Sequence, residues 1–105
     1  MKSWFGAKSV YRHSEGSARG CFEERIVLFE ASGFSSATKA AEAEARRYAR
    51  EVGGCRYLGY VVVFEAAGSR PRSGSEVYSL MRESRLSPKR YLDRFHDTGK
   101  ERARR

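Results

Sequence analysis

The chain has 105 residues, 40% of them hydrophobic, with six Tyr, six Phe and one Trp, which suits one domain with a single core and excludes wholesale disorder. No apolar run approaches the roughly 20 residues of a membrane span, and Met1-Lys2-Ser3-Trp4 lacks the apolar core of a signal peptide, so the expectation is a soluble, cytoplasmic protein. The net charge of +8 fits nucleic acid, an acidic protein or a membrane surface as partner, or simply an arginine- and alanine-rich composition.

Residues 2–11 read as a first strand, with Phe5, Ala7, Ser9 and Tyr11 on one face and Trp4, Gly6, Lys8 and Val10 on the other. Gly6 in its middle marks a weak point, a bulge or a close approach. Residues 12–20 are polar and aperiodic and predict a hairpin loop. The apolar run Arg25-Ile26-Val27-Leu28-Phe29-Glu30 predicts a buried second strand, begun near Phe22 and closed by Ala31-Ser32-Gly33. Ser35-Ser36 offers a hydroxyl N-cap to a helix over residues 37–52, whose apolar positions 37, 40, 41, 45, 48, 49 and 52 share one face. That face is mostly alanine, which allows close approach to a sheet. The other carries Lys39, Glu42, Arg46 and Arg50, with Glu42 and Arg46 spaced for an i,i+4 pair. Gly53-Gly54 ends the helix.

Residues 56–66 form the strongest strand pattern, apolar on both faces, which predicts a central position covered on two sides or a homodimer contact. After a turn-rich loop over residues 67–74, the alternation of Val77, Ser79 and Met81 with Tyr78 and Leu80 predicts a fourth strand at residues 75–82. Ser87-Pro88 opens a short helix over residues 89–96, with Tyr91, Leu92 and Phe95 on its apolar side. The fold class is therefore α+β: a β-β-α-β-β antiparallel-rich sheet with one helix on a face, plus a short C-terminal helix. Residues 1–96 make one domain and residues 97–105 a basic tail, expected to be disordered.

Trp4-Phe5, Glu24-Arg25-Ile26-Val27-Leu28, the alanine-rich helix, the aromatic third strand and Glu76-Val77-Tyr78-Ser79 occur in that order. Over residues 3–82 this arrangement resembles a family of small standalone bacterial proteins known only as a domain of unknown function. The resemblance implies a cytoplasmic bacterial protein of about this size, and it brings no catalytic residues.

Catalysis finds little footing. His13 lies in a polar stretch and His96 beside Asp97 at a helix end, and no Gly-x-Ser-x-Gly elbow supplies a nucleophile. Glu23 and Glu24 point to opposite faces of a strand; Glu24 and Glu76 are expected to have structural roles, pairing with Arg25, Arg56 or a backbone amide. A hydrolase using His96 or Glu24 is a remote alternative. Cys21 and Cys55 are 34 apart with no CxxC, so free thiols are expected, with no zinc site and no cofactor; a disulfide between them is geometrically conceivable. No phosphate-cradling glycine motif is present.

The basic end is the most informative feature. Nine Arg or Lys against four acids in residues 82–105 hold five of the eight net positive charges. Arg70, Arg72, Arg85, Lys89, Arg90, Arg94, Arg102, Arg104 and Arg105 are the candidate binding residues, for an acidic protein surface or for phosphates. The expectation is a small non-enzymatic binding or regulatory protein that docks on another protein, of which an immunity protein is one example. The alternative is a nucleic-acid binder using the basic helix and tail. No membrane partner is expected.

Overall fold

The computed structural model describes residues 2–14, 20–66 and 70–101. Its elements are β1 (Ser3–His13), β2 (Cys21–Ala31), α1 (Phe34–Glu51), β3 (Cys55–Glu65) and α2 (Pro88–Phe95). The sheet has three strands in the order β2-β1-β3, with β1 antiparallel to both neighbours. β2 and β3 thus run parallel to one another on either side of β1, a relation that needs a long crossover, and α1 supplies it.

The architecture is α+β, a three-stranded antiparallel sheet with one helix packed on it and a short C-terminal helix. Two expectations are corrected. The central strand is β1; β3, for all its apolar residues, is an edge strand. And residues 75–82 form no strand. They are extended but cross the second face of the sheet instead of pairing with an edge. The carbonyl oxygen of Val77 lies above Gly6, where a Cβ would come within 2.5 Å of it. Tyr78 meets Phe64 edge-on at 4.8 Å between ring centroids. Gly6 is therefore a close approach, and the missing side chain makes the trough in which the segment lies. The ladder irregularity falls instead between Ser9 and Tyr11, opposite Gly59, whose φ of 77° is open to glycine at no steric cost.

The first face of the sheet packs on α1. Phe5, Ala7, Ser9 and Tyr11 of β1 are buried there against Ala37, Ala41 and Ala45 of the helix. Alanines bring the helix close, and aromatic rings close the two ends: Phe5 meets Phe34 at 5.0 Å and Tyr11 meets Tyr48 at 5.0 Å. The helix begins earlier than Ser35-Ser36 suggested. Gly33 is its N-cap, and the Ser36 hydroxyl accepts from the Gly33 amide at 3.2 Å, reaching back from the first turn. The C-cap is Val52, whose amide donates to the Tyr48 carbonyl at 3.0 Å.

The second face is apolar and only partly covered. Phe22, Ile26, Leu58, Tyr60 and Val62 alternate outward along β2 and β3 and remain between 37% and 61% exposed. This explains why β3 read as apolar on both sides: one side faces α1 and the other an open sheet surface. The predicted loop at residues 12–20 and the turn at residues 67–74 lie partly outside the described residues, and Arg102, Arg104 and Arg105 of the tail lie wholly outside them.

Candidate functional site

Beyond Tyr78 the chain leaves the sheet. Leu80 is 56% exposed and Met81 94% exposed, and the segment then leads to α2. Ser87 caps that helix by accepting from the Arg90 amide at 3.3 Å, and Pro88 takes the first helical position with no amide to waste. Lys89 and Asp93 form an i,i+4 pair at 2.9 Å. Tyr91 and Phe95 touch at 4.8 Å, and Arg82 clamps both, donating to the Tyr91 hydroxyl at 2.8 Å and lying 4.3 Å over the Phe95 ring.

α2 packs against none of the strands and not against α1. No residue of it is buried. The radius of gyration, 15.7 Å, exceeds the ~13 Å of a compact domain of this length. Tyr91, Leu92 and Phe95 are thus not core contacts, although their spacing gives the helix one apolar side. They are the apolar side of an unattached helix, with Leu92 54% exposed.

The expected cations are distributed as follows. Lys89, Arg90 and Arg94 share the polar side of α2, Lys89 engaged by Asp93 and Arg94 lying 5.6 Å from the Phe95 ring centre. Arg85 precedes the helix, and Arg70 and Arg72 border the turn before the extended segment, where the Arg72 amide donates to the Ser75 hydroxyl at 2.8 Å. All six are exposed. Arg82, which clamps the helix, was not among the expected residues; its spacing of nine from Tyr91 carries no periodic signal.

A second polar group lies between the sheet and the C-terminal end of α1. His13 is the last residue of β1, not part of a loop, and stands in register between Cys21 and Cys55. Its Nε2 is 2.7 Å from Glu23 and 3.9 Å from the Cys55 sulfur. The Tyr48 hydroxyl donates to Glu23 at 2.9 Å, and Arg25 makes a bidentate pair with Glu44 at 2.6 and 2.8 Å while lying 3.8 Å over the Tyr48 ring.

A Cys-His-Glu set invites a catalytic reading, and the geometry opposes it. One imidazole nitrogen faces both the thiol and the carboxylate, whereas an activated nucleophile needs the acid on the other nitrogen. Burial, followed by the charge of Glu23, also pushes the Cys55 thiol up, away from the reactive thiolate. Burial and the Glu23 hydrogen bond push Tyr48 up to about 12, so it stays a hydroxyl donor. No group of three His, Cys, Asp or Glu among the described residues can hold a metal ion. The cysteines flank β1, two interstrand spacings or ~9.5 Å apart, too far for a disulfide.

Glu24 pairs with Lys8 at 3.0 Å on the second face; Arg25 points to the first face, and Arg56 lies on β3, on the far side of β1. Glu76 is exposed in the extended segment. His96 is the C-cap of α2, with its ring centre 5.5 Å from that of Tyr91. No described helix is long and apolar enough to cross a membrane. The chain matches no family model, no curated protein and no solved structure.

Proposed function

We propose that this is a small non-enzymatic binding protein whose C-terminal arm, from Leu80 through α2, docks into an acidic-rimmed groove on a partner protein. The observation that carries the reading is that α2 is capped and amphipathic yet touches no other element. An isolated eight-residue helix is marginal in water, so a sequence that caps and clamps one keeps it for a contact made elsewhere. Its anchors, spaced as Tyr91, Leu92 and Phe95, fit the helix-in-groove mode of recognition.

Magnitudes indicate the partner's chemistry. Fully burying a large apolar side chain contributes about 1.5–3 kcal/mol, so the exposed parts of Leu80, Met81, Leu92 and Phe95 offer about 4–7 kcal/mol together. Association costs of about that size or more offset it. The apolar side alone cannot hold a partner. Arg85, Arg90 and Arg94 must also find carboxylates, and binding weakens as salt rises. Nucleic acid is the less favoured occupant, because Tyr91 and Phe95 are engaged with each other and with Arg82 instead of being offered to bases. An immunity-type role, capping a harmful protein, is one form this activity takes.

The test is recovery of the tagged full chain from its native host beside Leu92→Asp, the double variant Arg90→Glu/Arg94→Glu, and Lys39→Glu on the exposed side of α1 as control. The expected result is a stoichiometric protein partner lost by both arm variants and kept by the control. Retention by the arm variants, or a bound species removed by nuclease, overturns the reading.

A further inference from the structure

We propose that β3 pairs edge to edge with β3 of a second copy of this chain, antiparallel about a two-fold axis at Val62, so that two three-stranded sheets join into one of six strands. The site is separate from the arm and stands whether or not the arm docks. β3 is an edge strand, and among the described residues no backbone group outside β1 bonds to it between Arg56 and Glu65. The two edges of the sheet differ in chemistry. β2 carries Glu23, Glu24, Arg25 and Glu30, charges of the kind that keep an exposed edge from pairing. On β3 the whole run from Tyr57 to Phe64 has no charge and no proline. Such an open row of amides and carbonyls is a template for another strand.

The register decides which groups point outward. The Ala66 amide donates to the Trp4 carbonyl at 2.9 Å, and along the same ladder Phe64 stands opposite Gly6 and Val62 opposite Lys8. Antiparallel ladders alternate, so Ala66, Phe64 and Val62 bond to β1, while the amides and carbonyls of Val61, Val63 and Glu65 point away from it. Around Val62 the sequence has the same character in both directions: Tyr60-Val61-Val62-Val63-Phe64. Turned on itself there, it sets Val61 opposite Val63 of the second copy, in hydrogen-bonded pairs that use the outward groups. Tyr60 falls opposite Phe64 of the second copy, in the closer non-bonded pairs where aromatic side chains meet. Glu65 falls opposite Gly59, whose φ of 77° turns the strand aside and ends the pairing. That self-complementarity selects a second copy over an unrelated strand. Both faces continue across the junction. Val63 packs on Phe5, Ala31 and Ala37 on the helix side, and Tyr60 and Val62, 55% and 37% exposed, lie on the open side. Apolar residues on both sides are the pattern of a central strand, and β3 becomes one only in the pair. So short a stretch makes a small interface, and the dimer therefore forms and dissociates with concentration.

The experiment is sedimentation of the full chain over a range of concentrations, with Val62→Lys, Val62→Glu and, as control on the exposed side of α1, Arg50→Gln. In Val62→Lys two like charges stand opposite one another at ~4.5 Å between Cα atoms. The expected result is a monomer–dimer equilibrium whose dissociation constant rises at least tenfold in Val62→Lys and in Val62→Glu and is unchanged in Arg50→Gln. Mixing the Lys and Glu variants restores the dimer, because each mixed pair then faces opposite charges, and that recovery separates loss of pairing from loss of fold. Register is read by oxidising cysteine variants of a chain that carries Cys21→Ser and Cys55→Ser. Val62→Cys links to itself across the axis, where ~4.5 Å between Cα atoms suits a disulfide, and Tyr60→Cys, which faces Phe64, does not. A chain that stays monomeric at every concentration, a dimer indifferent to both charges at Val62, no recovery on mixing, or linkage through Tyr60→Cys as ready as through Val62→Cys overturns the proposal.

Discussion

Replacing Gly6 by alanine tests how the extended segment lies on the sheet. Gly6 is buried in the middle of the central strand. An added Cβ would come within 2.7 Å of Phe64 Cζ and 2.5 Å of the Val77 carbonyl oxygen. The Phe64 ring can turn aside, but the carbonyl belongs to backbone and must move with residues 76–79. Overpacking of this kind costs about 1–3 kcal/mol. Removing a glycine from a strand returns about 0.5–1 kcal/mol through backbone entropy. The net expectation is a loss of about 1–2 kcal/mol, or a Tm lower by about 4–16 °C at ~4–8 °C per kcal/mol. Thermal unfolding followed by circular dichroism measures it, and a spectrum of the Tyr78 environment reports whether the segment has lifted. A Gly6→Ala protein as stable as the parent, with Tyr78 undisturbed, would refute the trough and the packing of residues 75–82 over β1.

Two further outcomes follow from the polar groups beneath α1. Glu44 is held below the ordinary carboxylate value of 4.5, first by its hydrogen bonds from Arg25. Its contribution is therefore complete above that value and is lost as pH falls through the lowered folded value, because the unfolded chain takes up the proton first. Glu44→Gln should cost about 1–2 kcal/mol at neutral pH and flatten the acid limb of the stability profile, as measured by urea titration from pH 7 to 3; an unchanged limb contradicts the pairing. The Tyr57 hydroxyl is buried without a hydrogen-bond partner among the described residues. Tyr57→Phe should leave stability unchanged or raise it by up to about 1 kcal/mol in the same titration, and a clear loss would mean that the hydroxyl is satisfied.

The sheet-and-helix unit was legible because its signals are local. The alternation through Phe5, Ala7, Ser9 and Tyr11 and the alanine spacing at 37, 41 and 45 report faces, and those faces pack as read. Strand order was not legible, since apolar residues on both sides of β3 fit a central strand and an edge strand beneath an extended segment equally well. The alternation at Val77 to Met81 looked like a strand because an extended chain alternates whether or not it has ladder partners. What diverted it was the absence of a side chain at Gly6, seventy residues away. The basic end was visible from charge alone. Its detachment from the core was not, because Tyr91, Leu92 and Phe95 have the spacing of a helix that packs and nothing in sequence says against what.

The central claim is that a self-sufficient domain carries an arm left free for a partner. Ending the chain after Arg82 removes α2 and everything following it, and thermal unfolding of the shortened and full chains compares them directly. Since α2 packs on no other element, the account predicts a Tm unchanged to within about 2 °C, well under the ~4–8 °C that 1 kcal/mol produces in a domain of this size. A fall of about 8 °C or more would mean that the arm is part of the domain's own core, and the docking reading would go with it.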